Sequence, residues 1–150
     1  MGLDLFLFAR YDVNIDSHTS PTAEQEACQP IMDKLGLDNQ YMRTVEVFVL
    51  LRMWQRLYQV HYWIVDNIQN GMNDAKYYTM NRDQLQQLVN LCREVLANRE
   101  KAEELLPLPD TEDLYDESYF DDLQTIADDI TGFLNDPKFK DWEFVYSSSW

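Results

Sequence analysis

Histidine is the side chain best suited to proton transfer near neutral pH, and this chain contains two, His18 and His61. His18 lies in a polar stretch that indicates a loop, whereas His61 lies in an apolar stretch of helical period among several aromatic residues. A neutral imidazole there could act as a general acid or base, or could be a hydrogen-bonded core residue. No nucleophile or carboxylate stands at a spacing that would complete a catalytic group. The residues predicted to form a pocket with it are Trp54, His61, Trp63, Asn67 and Gln69.

Paired carboxylates are the second set of residues with possible chemistry. Asp121–Asp122 and Asp128–Asp129 recur two helical turns apart, so one carboxylate of each pair shares a helix face, and such a face could hold Mg²⁺ or Ca²⁺. The order of ligands and glycine in a calcium loop is absent, and a solvated helix face is the simpler interpretation. Zinc is excluded by isolated Cys and His, and no phosphate-binding loop or G-x-S-x-G motif occurs. We therefore predict no catalytic residue, no metal site and no cofactor, and a chain that is not an enzyme.

The charge of the chain is negative and concentrated. Asp and Glu number 27 against 12 Lys and Arg, a net charge of −15, and residues 99–122 hold 10 acids and 2 bases. A phosphate backbone or an anionic membrane would be repelled, which argues against direct nucleic-acid or membrane binding. A basic protein surface would be attracted. The residues predicted to bind such a partner are Glu103, Glu104, Asp110, Glu112, Asp113, Asp116, Glu117, Asp121 and Asp122.

The periodicity of apolar residues predicts the elements that position these side chains. Strands are predicted near residues 3–10, 44–49, 76–80 and 142–147. Three main helices are predicted at about 50–70, 82–98 and 118–135, with shorter ones at 22–35 and 101–106. Gly71 is placed to end the first main helix, and Asn81 begins the second in a capping box with Gln84.

These elements predict one α+β domain over residues 1–150, with helices packed on one face of a small, mainly antiparallel sheet. A predominantly helical fold is the alternative if the middle strands do not form. Cys28 and Cys92 stand alone, which indicates reduced thiols in a cytosolic protein, with Cys92 a small core residue. The sequence predicts neither a membrane span nor a signal peptide and leaves the oligomeric state open.

Four stretches resemble an uncharacterised family of small phage and prophage proteins. They are M-G-L-D-L-F-L at residues 1–7, H-Y-W-I-V at 61–65, A-E-E-L-L-P at 102–107, and the tail W-E-F-V-Y-S-S-S-W at 142–150. Matching residues run over most of the chain apart from 12–43, and the tail and the stretch around His61 are the most specific. The resemblance implies a phage origin, a small accessory role and the cytoplasm of a bacterial host. It implies no activity.

Three functions are compatible with these observations. The leading hypothesis is a small acidic accessory protein that binds and inhibits a host or bacterial defence protein with a basic surface, as a nucleic-acid-mimicking decoy. The second is a small ligand-binding protein or enzyme with a pocket around His61. The third is a structural or virion-associated protein.

Overall fold

The computed structural model describes residues 2–15, 21–37, 44–108 and 115–150 and confirms the predicted α+β class. Four strands form one antiparallel sheet in the order β2-β1-β4-β3. The strands are β1 Asp4–Asn14, β2 Thr44–Gln55, β3 Tyr78–Met80 and β4 Glu143–Ser149. The helices are α1 Ala23–Lys34, α2 Tyr58–Asn67, α3 Arg82–Ala97, α4 Ala102–Leu105 and α5 Glu117–Asn135.

The predicted helix over residues 50–70 is wrong in its first third. β2 continues through Gln55, and α2 begins only at Tyr58. Residues 50–55 contain no β-branched residue, and the pairing of β2 with β1 keeps them extended despite the apolar spacing that suggested a helix. Arg56 then adopts φ of 61°, a left-handed conformation that neither a strand nor a right-handed helix continues through.

The ends of the helices follow the predicted signals more closely. Asn81 and Gln84 form the capping box at the start of α3, with reciprocal hydrogen bonds of 2.8 and 2.9 Å. Gly71, at φ of 78°, donates its N–H to the carbonyl oxygen of Val65 at 2.8 Å and so closes the turn after α2. The turn at Gly71 and the capping box at Asn81 thus lie on either side of the short strand β3, between α2 and α3.

The hydrophobic core of the sheet and helices is centred on α3 and α5, which pack on each other. Their buried faces have the predicted helical period. On α3 these residues are Leu85, Leu88, Val89, Cys92 and Val95, and on α5 they are Tyr119, Phe120, Leu123, Ile126, Ala127 and Ile130. Cys92 is fully buried, as predicted, and burial raises the pKa of its thiol to about 12.

The described residues divide into two compact units. The larger contains the residues up to Ala9 together with Leu50–Trp150, and the smaller contains Arg10–Val49. The smaller unit buries Val13, Ile15 and Met32. The larger unit holds the main core and every predicted site residue that the structure describes. The prediction of a single domain over 1–150 stays a prediction.

Over the described parts of the chain, no helix is long and apolar enough to cross a membrane.

Candidate functional site

His61 is held by two hydrogen bonds, one to each ring nitrogen. Its Nδ1 lies 2.7 Å from the hydroxyl of Tyr146, and its Nε2 lies 2.9 Å from Oδ1 of Asn73. His61 and Tyr146 are almost completely buried, at 2% and 1% exposure. α2 supplies the histidine, β4 supplies the tyrosine, and the turn after Gly71 supplies the asparagine. Three separate parts of the larger unit therefore meet at one imidazole.

The partners of His61 define its protonation. Asn73 Oδ1 can only accept, so Nε2 carries the hydrogen, and Nδ1 accepts from the Tyr146 hydroxyl. Burial lowers the pKa of His61 below its usual 6.5, while the hydrogen bond to Asn73 acts in the opposite direction. Burial also raises the pKa of Tyr146 above its usual value. Both groups are therefore neutral at pH 7. The hydrogen bonds that join Tyr146, His61 and Asn73 form a polarised but uncharged network.

This network forms one wall of an open cavity of about 440 Å³, here called the aromatic pocket. Its lining residues are Leu3, Tyr58, His61, Tyr62, Asn73 and Trp150. The Trp150 ring meets the imidazole edge to face, with ring centres 5.4 Å apart, and is half exposed. Three further rings and one amide thus surround the histidine, a combination of apolar walls and few polar groups that is typical of small-molecule sites.

The other four residues predicted to form a pocket with His61 lie elsewhere. The Asn67 amide donates to the carbonyl oxygen of Trp63 at 2.8 Å, and the Trp63 ring packs partly buried against the core. Gln69 is fully buried, and its amide oxygen and nitrogen have no hydrogen-bond partner within the described chain. Trp54 lies in β2 beside α5. The structure therefore places His61 in a pocket, but with different neighbours.

Part of the aromatic pocket was detectable in the sequence. Tyr58, His61 and Tyr62 stand at i, i+3 and i+4, so they share one face of a helix. Leu3 and Trp150 lie at distant positions in the chain and meet only because of the sheet order. The stretch 61–65 and the tail 142–150 meet in this pocket.

The predicted partner-binding acids are exposed wherever the structure describes them. Glu103 and Glu104 lie in α4, Asp116 caps α5, and α5 carries the remaining three. The acidic surface is defined by Glu103, Glu104, Asp116, Glu117, Asp121 and Asp122. Asp110, Glu112 and Asp113 lie outside the described residues.

Two members of the acidic surface have structural partners. The Asp116 side chain accepts from the backbone N–H of Tyr119 at 2.9 Å and caps α5. Glu117 receives two hydrogen bonds from Arg99, at 2.7 and 2.9 Å. The Arg99 guanidinium also lies 4.5 Å from the centre of the Phe120 ring. These contacts fix the first turn of α5 and leave a surplus of negative charge along its exposed side.

Asp122 shows that the carboxylates repel one another. Its pKa is raised above 3.8, first by burial and then by the negative charges of Asp121 and Asp116. Asp122 also lines a groove of about 460 Å³ between α5 and the end of β2. Its lining residues are Met53, Trp54, Gln55, Arg56, Leu57, Ser118, Asp122 and Thr125. One residue from each predicted site, Trp54 and Asp122, therefore lines the same groove.

Replacing Asp122 by Asn is expected to stabilise the chain slightly at neutral pH. The folded pKa is raised, so the folded chain binds more protons than the unfolded chain, and ionisation of Asp122 costs stability as pH rises above 3.8. The gain is expected to stay below about 0.5 kcal/mol because exposed charges are screened. Urea unfolding at pH 7.5 and pH 3.5 measures it, with Asp66→Asn on α2 as the control. A gain as large at pH 3.5 as at pH 7.5 would contradict the electrostatic cause.

Among residues 2–15, 21–37, 44–108 and 115–150, no group of three metal-ligating side chains could hold an ion. The prediction of no metal site stays a prediction for the whole chain.

Comparison of the chain with protein-family models, with curated proteins and with solved structures finds no match. The resemblance to small phage proteins accordingly stays an expectation from the sequence.

Proposed function

We propose that this chain is a small binding protein that docks its acidic surface on a basic surface of a partner protein and blocks it. The proposal follows the leading sequence hypothesis, in which the chain is a phage accessory protein in the cytoplasm of a bacterial host. The partner is then a host or bacterial defence protein whose basic surface normally contacts nucleic acid. The carboxylates of the acidic surface take the place of the phosphates.

The observation that carries this proposal is the cluster of exposed carboxylates on α4 and at the start of α5. Burial raises the pKa of Asp122, and the negative charges of Asp121 and Asp116 raise it further, so these carboxylates lie close enough to repel one another and to act together. Lys or Arg side chains of a partner would relieve that repulsion on binding. The free energy held as repulsion in the unbound chain would then favour the complex.

The groove beside Asp122 gives the proposed contact a shape as well as a charge. Trp54 forms its wall with a mostly buried ring, and Ser118 and Thr125 add hydroxyl groups next to the carboxylate. Both Asp122 and Arg56 line the groove, so the charged head of a partner Lys or Arg would bind at the Asp122 end while its apolar stem packs on the Trp54 ring. We place the centre of the interface here.

Two variants of equal net charge test the proposal. The first carries Glu103→Gln, Glu104→Gln, Asp121→Asn and Asp122→Asn, which changes four exposed acids of the acidic surface. The second carries Asp66→Asn, Asp83→Asn, Glu94→Gln and Asp141→Asn, four exposed acids outside it. Each tagged chain captures proteins from a bacterial host lysate at low and at high salt, and the captured proteins are identified by mass spectrometry.

We expect the unaltered chain and the second variant to retain the same basic, nucleic-acid-handling protein at low salt and to lose it at high salt. The first variant is expected to lose at least about tenfold in retention. Equal retention by both variants would rule out the acidic surface as the contact, since their net charges are the same. A partner that remains bound at high salt would contradict an electrostatic decoy.

A second candidate function, the binding of a small ligand, is favoured by the neutral Tyr146–His61–Asn73 network in the wall of the aromatic pocket.

A further inference from the structure

The aromatic pocket has the chemistry of a base-binding site. We propose that it binds an uncharged purine base or nucleoside of the adenine type, stacked on Trp150 and read by the amide of Asn73. This inference goes beyond the proposed function and does not depend on the acidic surface, which lies on other elements of the chain.

The walls of the pocket favour a flat, apolar-faced ligand. Trp150, Tyr58 and Tyr62 supply aromatic rings, and Leu3 supplies an aliphatic surface. A volume of about 440 Å³ accommodates a nucleoside. Stacking of a nucleobase on an aromatic side chain contributes substantially to affinity, and Trp150 is suited to it because about half of its surface is exposed.

Asn73 supplies the hydrogen bonds that would select the base. Its Oδ1 is fixed in place by the N–H of His61 at 2.9 Å, which sets the orientation of the amide. The second lone pair of Oδ1 and the two Nδ2 hydrogens remain for a ligand. An amide offers an acceptor beside a donor, and adenine presents the complementary pair at N6 and N7.

Charge decides between a nucleoside and a nucleotide. The side chains that line the pocket among the described residues are neutral at pH 7, because His61 is kept uncharged by burial. No lysine or arginine is among those lining residues to pair with a phosphate, and the chain as a whole carries a net charge of −15. A phosphorylated ligand would therefore be repelled, so the free base or nucleoside is favoured.

The role of His61 in this site is positioning. Both ring nitrogens are occupied inside the protein, so the imidazole does not donate to the ligand. Its hydrogen bond to Tyr146 in β4 fixes the ring, and the fixed ring in turn holds the amide of Asn73 in place. Such a fixed amide loses little freedom on binding, which improves both affinity and selectivity.

Titration of adenosine into the full chain, followed by NMR and by calorimetry, tests the inference. We expect saturable binding with a Kd below about 1 mM, and shifts of the Trp150 indole N–H signal. Adenosine 5′-monophosphate is expected to bind severalfold more weakly because of its charge. Purine riboside, which has the same ring system without the N6 amino group, is expected to bind at least about tenfold more weakly because it has no donor for Oδ1 of Asn73.

Variants assign the contacts. Trp150→Ala is expected to weaken adenosine binding by about 5- to 100-fold, whereas Trp150→Phe keeps a stacking ring and most of the affinity. Asn73→Ala is expected to reduce the preference for adenosine over purine riboside. Tyr77→Ala removes an exposed ring that does not line the pocket and is the matched control.

Absence of saturable adenosine binding by the folded chain would overturn the inference, as would an affinity that Trp150→Ala leaves unchanged. Equal binding of adenosine and purine riboside would overturn the role of Asn73. The variant with four neutralised acids on the acidic surface is expected to bind adenosine like the unaltered chain, so this result and the partner-capture result can fail separately.

Discussion

Replacing Tyr146 by Phe is expected to lower the free energy of unfolding by about 1–3 kcal/mol. The hydroxyl donates to Nδ1 of His61 at 2.7 Å, and both side chains are buried. Without the hydroxyl, a buried acceptor loses its hydrogen bond while water cannot easily reach it, and an unsatisfied buried group costs more than the average hydrogen bond contributes. Urea unfolding at pH 7.5, followed by circular dichroism, measures the loss.

Tyr78 is the matched control because it lies directly opposite Tyr146 in the pairing of β3 with β4. Its hydroxyl also makes one hydrogen bond, to Oδ1 of Asp74 at 2.9 Å, but in a more exposed setting where water can replace it. Tyr78→Phe is expected to cost less than about 1 kcal/mol. Equal losses for the two variants would contradict the view that His61 depends on a buried donor.

The class of fold and the two longest helices were predictable because they depend on local patterns. α3 and α5 bury one face at a period of 3.6 residues, and that period is present in the sequence whatever the rest of the chain does. The capping box at Asn81 is equally local, since both of its hydrogen bonds join residues three apart. Such features need no knowledge of tertiary contacts.

The boundary between β2 and α2 was not predictable from the same patterns. Residues 50–57 have apolar side chains at spacings that suit either a helix or a strand, and the pairing of β2 with β1 decides between them. The left-handed backbone of Arg56 has no signal in its residue type, because glycine or asparagine is usual there. A tertiary interaction therefore prevailed over local periodicity.

The candidate sites also combine features set by the local sequence with features set by tertiary contacts. Exposure of the acidic surface was predictable from composition, because adjacent carboxylates are rarely buried without partners. The cavity at His61 has other neighbours than the sequence suggested, since Leu3 and Trp150 reach it through the sheet. The burial of Gln69 likewise could not be read from a polar residue near a helix end.

Replacing Asp129 by Ala is expected to lower the free energy of unfolding by about 1–3 kcal/mol. One carboxylate oxygen accepts from the indole N–H of Trp54 at 3.0 Å, and the other lies 3.1 Å from Nε of Arg52. The Asp129 side chain is only 18% exposed and Trp54 is buried, so water has little access to the hydrogen bond between them. Hydrogen bonds to a charged group are stronger than neutral ones, and here one carboxylate joins β2 to α5.

The neighbouring Asp128 provides the control, because it is exposed and accepts one hydrogen bond from Gln124 on its own helix. Asp128→Ala is expected to cost less than about 0.5 kcal/mol. Asp129→Asn keeps an acceptor for Trp54 but removes the charge opposite Arg52. Its loss of unfolding free energy is therefore expected to lie between those of Asp128→Ala and Asp129→Ala. High salt should reduce the loss from Asp129→Asn, which is mainly electrostatic, and should leave most of the additional loss from Asp129→Ala, which comes from the unpaired indole. If Asp129→Ala cost no more than Asp129→Asn at high salt, Trp54 would not depend on this carboxylate, and the wall of the groove beside Asp122 would lose its structural explanation.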